Sequence, residues 1–122
     1  MAQGYVDAMT IRPGNADTPI GTLSGGNQQK IALARLLHQE AATWLLDEPT
    51  RGVDVGSKVQ LYEAIAAAAD DGCAVLLVSS YLPELFGLCD SLAVMCRGRL
   101  TAARPLREWT PERVMAAAIG AA

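Results

Sequence analysis

The sequence predicts an α/β fold, a small and mainly parallel sheet flanked by helices. Two continuous apolar runs, TWLLD (Thr43 to Asp47) and CAVLLVS (Cys73 to Ser79), are too short for helices and suit strands buried on both faces. Between them, Val59, Tyr62, Ile65 or Ala66, and Ala69 recur at helical spacing within Ser57 to Asp70. Strand, helix and strand make a βαβ unit, so the two strands should run parallel with a right-handed crossover.

The elements follow in order. Met1 to Asp17 carries no legible pattern, and RPGNADTP (Arg12 to Pro19) is turn-rich and reads as a loop. Ser24 suits a helix N-cap, and Gly25 and Gly26 allow close backbone approach. NQQKIALARLLHQ then continues with good helix formers and ends near Glu40. Pro49 and Gly52 mark a loop after the first strand, and Gly72 is placed to stop the second helix. Pro83 fits the first turn of a short helix, Pro83 to Leu88, leading to a third strand, SLAVMC (Ser91 to Cys96). Arg97-Gly98 is a turn signal, RLTAA (Arg99 to Ala103) returns as an edge strand, and Thr110-Pro111 caps a last helix to Ile119. Three strands are few for a doubly wound sheet, and the sheet starts as if in its middle.

With 122 residues and 51% hydrophobic content, the chain is one domain at most and not a disordered one. A net charge of -3 with scattered basic residues argues against a nucleic-acid surface. Cys73, Cys89 and Cys96 form no CxxC pair and suit small buried thiols in a reducing cytosol. No window approaches the ~20 apolar residues of a membrane helix, and Met1 to Asp17 does not resemble a signal peptide. The expectation is a soluble chain able to dock on a membrane partner.

Two stretches carry chemistry. Asp47 and Glu48 form an acidic pair at the C-terminal end of a buried strand, where open α/β sheets bind ligands. One carboxylate there can hold Mg²⁺ and its neighbour can orient or deprotonate a water; taken alone, Asp-Glu-Pro at a strand end is also a plain turn. Ser24, Gly25 and Gly26 open a helix whose dipole and unsatisfied N–H groups favour an anion, although the same residues also make an ordinary N-cap.

Together the motifs are specific. LSGGNQQ (Leu23 to Gln29) resembles the signature motif of ATP-binding cassette proteins, TWLLDE their Walker B strand, and RGVD (Arg51 to Asp54) their D-loop, in that family's order and spacing. LSGGNQQK, DEPTRGVDVG, VSSYLPEL and ERVMAAAIG are similar to the second cassette of sugar importers of the ribose, galactose and xylose type, whose ATPase subunit carries two cassettes in one chain. Cassettes of chromosome maintenance and of translation match these stretches less well.

The resemblance, which runs from Thr18 onward, implies a partial P-loop NTPase domain that uses ATP and Mg²⁺. Asp47 would bind the magnesium shell and Glu48 would polarise the attacking water. Ser24, Gly25 and Gly26, with Asn27 and Gln28, would meet a nucleotide held by the opposing cassette. Asp54 would link the two sites, and Ser80 stands where many members carry a histidine that senses the γ-phosphate. His38, the lone histidine, receives no catalytic role. Residues 1–40 would be a remnant of the helical subdomain plus the signature helix, and 41–122 the Walker B, D-loop and C-terminal part of the α/β core.

Implied partners are a first nucleotide-binding domain of the same or a paired chain, membrane permease subunits and, indirectly, a periplasmic sugar-binding protein, with no nucleic acid. The implied location is cytoplasmic, on the inner face of the membrane. No phosphate-binding G-x-x-x-x-G-K-[ST] occurs, because GVDVGSK (Gly52 to Lys58) has the wrong spacing and places Ser57 before Lys58. The expectation is therefore a C-terminal piece of a longer ATPase, inactive alone. The alternative is a non-catalytic module that pairs with another nucleotide-binding domain.

Overall fold

The computed structural model, which describes residues 1–121, opens on a helix that no periodicity announces, α1 (Ala2–Ala8). Val6 of this helix, Ile11 just beyond it and Leu23 form an apolar cluster, with Met9 and Ile31 packed against them. The Ile11 N–H donates to the Val6 carbonyl at 2.9 Å. Gln3 holds the turn-rich stretch that follows: its Nε2 donates to the Gly14 carbonyl at 2.9 Å and its Oε1 accepts from the Ala16 N–H at 3.1 Å. The stretch read as a loop is thus fastened to a helix rather than loose.

A 3-10 turn at Ile20–Thr22 leads into α2 (Gly25–His38), capped as expected by Ser24, whose Oγ accepts from the Asn27 N–H at 3.3 Å. Strand β1 (Thr43–Asp47) and strand β2 (Ala74–Val78) pair in parallel, with Leu45 opposite Leu76 and Asp47 opposite Val78. Helix α3 (Val55–Asp70) connects them. It starts two residues before the predicted Ser57, because Asp54 is the N-cap and its Oδ2 accepts the Ser57 N–H at 3.0 Å. Gly72 (φ 97) lies just past its end in the left-handed conformation that a helix stop favours.

Burial corrects one expectation. Trp44 and Leu46 of β1 are buried, but Leu45 is 72% exposed, as are Leu76 (61%) and Val78 (54%) of β2. The strands are covered on one face only. Helix α2 packs on α3, and α3 on β2.

Residues from Ser79 onward form a second unit, distinct from Met1–Val78. It holds α4 (Leu82–Leu88), four two-residue strands and α5 (Pro111–Ile119). The third strand expected over Ser91–Cys96 does not extend the parallel sheet. It splits into β3 (Ser91–Leu92), antiparallel to β6 (Arg104–Pro105), and β4 (Met95–Cys96), antiparallel to β5 (Arg99–Leu100). The cause is local. Arg97 (φ 48) and Gly98 (φ 79) both take positive φ, as a tight two-residue hairpin requires. Leu92 and Val94 are buried between exposed Ser91 and Met95, the period-two pattern of a strand covered on one face. Leu92, Val94 and Val114 form this unit's core with Leu85, Phe86 and Trp109 packed around them, and the Trp109 Nε1 donates to the Leu92 carbonyl at 3.0 Å. Thr110 caps α5 by accepting the Arg113 N–H at 3.2 Å.

Candidate functional site

The first unit brings the opening of α2 against the loop that joins β1 to α3. Ser24 and Gly25 are exposed at the start of a fourteen-residue helix, the end at which dipole and unsatisfied N–H groups favour an anion. Gly26 is buried, and the geometry states why it must be glycine: a Cβ there would stand 2.6 Å from both Cβ and Oγ of Ser57 and 3.3 Å from Asp54 Oδ1. Helices α2 and α3 touch at this point through the missing side chain.

Asn27 and Gln28 are turned to the protein itself. Asn27 Nδ2 donates to Ser24 Oγ at 2.9 Å and its Oδ1 accepts the Arg12 N–H at 3.2 Å, while Gln28 Nε2 donates to the Leu23 carbonyl at 3.0 Å. Their amides brace the turn on which Ser24 and Gly25 stand.

The acidic pair sits at the end of β1. Asp47 is exposed and is the last residue of the strand. Glu48 is half-buried, with φ 47, and its N–H donates to the Val78 carbonyl at 2.8 Å, extending the β1–β2 ladder by one bond. A non-glycine residue in the left-handed region costs about 1–2 kcal/mol, and such strain concentrates where a side chain is aimed for a purpose. The chain after it is tightly built: Pro49 and Thr50 are buried, Arg51 N–H donates to the Glu48 carbonyl at 3.2 Å, and Val53 N–H to the Thr50 carbonyl at 3.1 Å. A cleft of about 270 Å³ between α2 and β1 is lined by Gln29, Arg35, Leu36, Leu46, Asp47 and Pro49, among others.

Asp54 ends this loop. Hydrogen bonds from the Ser57 backbone and hydroxyl hold its carboxyl below the usual aspartate range. Asp47 and Glu48 are neighbours in sequence, but among the described residues no three His, Cys, Asp or Glu side chains converge on a point that could hold a metal. One exposed carboxylate still fits Mg²⁺, which needs one or two from the protein and keeps waters or phosphates for the rest.

Ser80 is exposed and belongs to the second unit. The His38 ring stands edge-on to Tyr5, centroids 5.8 Å apart, and joins α1 to α2. Sequence reasoning passed over Lys30, which is only 4% exposed. Its helical phase with Leu23, Gly26 and Leu33, all buried, was the available signal.

Residues 3–51 match the family model described as ABC transporter. The chain is 42% identical over 98% of its length to the xylose import ATP-binding protein XylG of Moorella thermoacetica, covering 24% of that protein. It is 49% identical over 98% of its length to the ribose import ATP-binding protein RbsA 2 of Rubrobacter xylanophilus, covering 23%. It therefore spans about a quarter of the length of these relatives. Among solved structures, an inward-facing ABC transporter of metal-chelate type superposes with a TM-score of 0.82 over 98% of this chain and 47% of that one, at 19% identity. A dimeric bacterial ABC transporter cassette superposes with a TM-score of 0.73 over 87% and 46%, at 22% identity. At such identities the likeness is one of fold. Among the described residues no helix is long and apolar enough to cross a membrane.

Proposed function

The chain belongs to the ATP-binding cassette family, and from that premise we propose that it supplies the signature motif, the Walker B acid pair and the D-loop to the ATP-hydrolysing subunit of a bacterial sugar importer. The observation that carries this reading is the contact of Gly26 with Ser57 and Asp54, which sets the opening of α2 against the end of the loop that follows Asp47 and Glu48.

Each residue has a task that its position supports. Glu48, held off the end of β1 by its bond to Val78, is the general base that takes a proton from the attacking water. Asp47 offers its exposed carboxylate to the Mg²⁺ shell, and Mg²⁺ bound with ATP would supply charge neutralisation at the phosphates. Ser24 and Gly25 present hydroxyl and helix-end N–H groups to the γ-phosphate of a nucleotide on the opposing cassette. Gly26, Asn27 and Gln28 complete that nucleotide-facing turn, Gly26 also keeping α2 close to α3 and the two amides holding the turn in shape. Asp54 lies at the cassette interface, and Ser80 takes the place of the γ-phosphate-sensing histidine without offering its charge-assisted bond. Residues 1–40 serve as part of the helical subdomain and 41–122 as part of the α/β core.

The partners in this reading are a phosphate-loop-bearing first nucleotide-binding domain and membrane permease subunits, with a periplasmic sugar-binding protein upstream, at the inner face of the membrane. The alternative, a non-catalytic module that pairs with another nucleotide-binding domain, draws on the bare face of Leu45, Leu76 and Val78, which needs a cover.

A Mg-ATP calorimetric titration of the chain alone should show no micromolar binding. A cassette that joins this chain to a G-x-x-x-x-G-K-[ST] segment should bind and hydrolyse ATP, and Glu48→Gln in it should keep binding while hydrolysis falls by a hundredfold or more, on the order of a general base's contribution. Hydrolysis undiminished in Glu48→Gln would remove Glu48 from the base role. Tight binding by the chain alone would overturn its dependence on a separate phosphate loop.

A further inference from the structure

Lys30 lies one helical turn after Gly26 on the same face of α2, and at that turn Gly26 abuts Asp54, the cap of α3, and Ser57 in its first turn. It is 4% exposed, and its Nζ donates to the Thr10 carbonyl at 3.3 Å. Thr10 itself has φ 53 and precedes Ile11, a member of the Val6–Ile11–Leu23 cluster. An ammonium so enclosed persists only where other groups compensate it. Burial pushes the Lys30 pKa down, the Asp54 carboxylate pulls it back up, and the Arg12 guanidinium adds to the lowering. Asp54, at the surface, is governed by its Ser57 hydrogen bonds.

We propose that Lys30 is a positioning residue, whose buried ammonium ties the Thr10 turn to α2 one helical turn from the Gly26 contact with Asp54 and Ser57, and so couples the opening of α2 to the start of α3. This rests on the roles proposed above for Ser24–Gly26 and Asp54. A displacement at the exposed start of α2 would then be passed to Asp54 through the Gly26 contact, with Lys30 holding that turn to Thr10.

The test is an NMR titration of the Lys30 side chain in the whole chain and in its Asp54→Asn variant, in which Asn keeps a side-chain oxygen to cap Ser57. The expected result is a lower Lys30 midpoint in Asp54→Asn. In the unaltered chain, the Gly26 and Ser57 amide signals should move with the same midpoint as Lys30. A Lys30 midpoint unchanged by Asp54→Asn, or Gly26 and Ser57 amides indifferent to the Lys30 titration, would overturn the proposal. Lys30→Arg should preserve the Gly26 and Ser57 shifts and Lys30→Met should displace them; should Lys30→Met not fold, the Asp54→Asn comparison decides. No nucleotide enters these measurements, so their failure is distinct from failure of the ATPase reading.

Discussion

Replacing Gly26 by alanine asks how closely α2 and α3 must approach. The added Cβ would meet Cβ and Oγ of Ser57 at 2.6 Å, about 1 Å inside the optimal separation of two carbon atoms. The obstacle is the first atom of a helical side chain rather than the tip of a flexible one, so relief requires the helices to part. Overpacking of this kind costs about 1–3 kcal/mol, and the better helix propensity of alanine returns up to about 1 kcal/mol. The expected net loss is on the order of 1–2 kcal/mol. At about 4 °C per kcal/mol for a domain of this size, the melting temperature should fall by roughly 4–8 °C. Thermal denaturation followed by circular dichroism reads it directly. Gly25→Ala is the control, because a Cβ there meets only the Gly52 carbonyl at 3.9 Å, an ordinary contact. Adding Ser57→Gly to Gly26→Ala should recover part of the loss beyond additivity, a coupling that a double-mutant cycle isolates. A Gly26→Ala chain as stable as the original, or a cycle with no coupling, would refute the reasoning.

Two further outcomes are expected. Because the native Asp54 pKa lies below its ordinary value, its stabilising effect should be present above about pH 5 and fade as pH falls through ~4 and below. The difference in urea midpoint between the unaltered chain and Asp54→Asn should follow that course, and a difference independent of pH would count against it. Leu45 and Leu76 face each other across the strands, both exposed, so Leu45→Lys with Leu76→Glu should reduce self-association in sedimentation or light scattering. Stability should change by no more than about 0.5 kcal/mol; a loss beyond ~2 kcal/mol would mean that the face is already packed.

The βαβ unit was legible because its strands are continuous apolar runs and its helix carries one periodic stripe, both properties of single segments. The acids at the end of β1 were legible for the same reason: strand end and residue type lie together in the sequence. Helix α1 was not, since seven residues with a glycine among them and one buried position make no period. SLAVMC misled by composition, because its apolar residues hide an alternation that only Leu92 and Val94 express in burial. The Arg97-Gly98 turn and the returning strand after it were visible, and β5 (Arg99–Leu100) does pair with β4. The contact of Gly26 with Ser57 and the burial of Lys30 join residues far apart in the chain, and no local pattern encodes such partners. The bare side of β1 and β2 makes the complementary point: a run of leucine and valine records the surroundings a strand is made for, not those it has.

The packing of Val6 and Ile11 on Leu23 bears on how the polypeptide can be cut. A shorter version begun at Thr18, where the recognisable motifs start, would uncover Leu23 and Ile31. It would also discard the Thr10 carbonyl that receives the Lys30 ammonium and the Arg12 N–H that Asn27 accepts. The seventeen residues that spell no motif are thus a covering that the start of α2 cannot shed, and a trimmed expression product would be expected to misbehave at the Ser24–Gly26 turn before anywhere else.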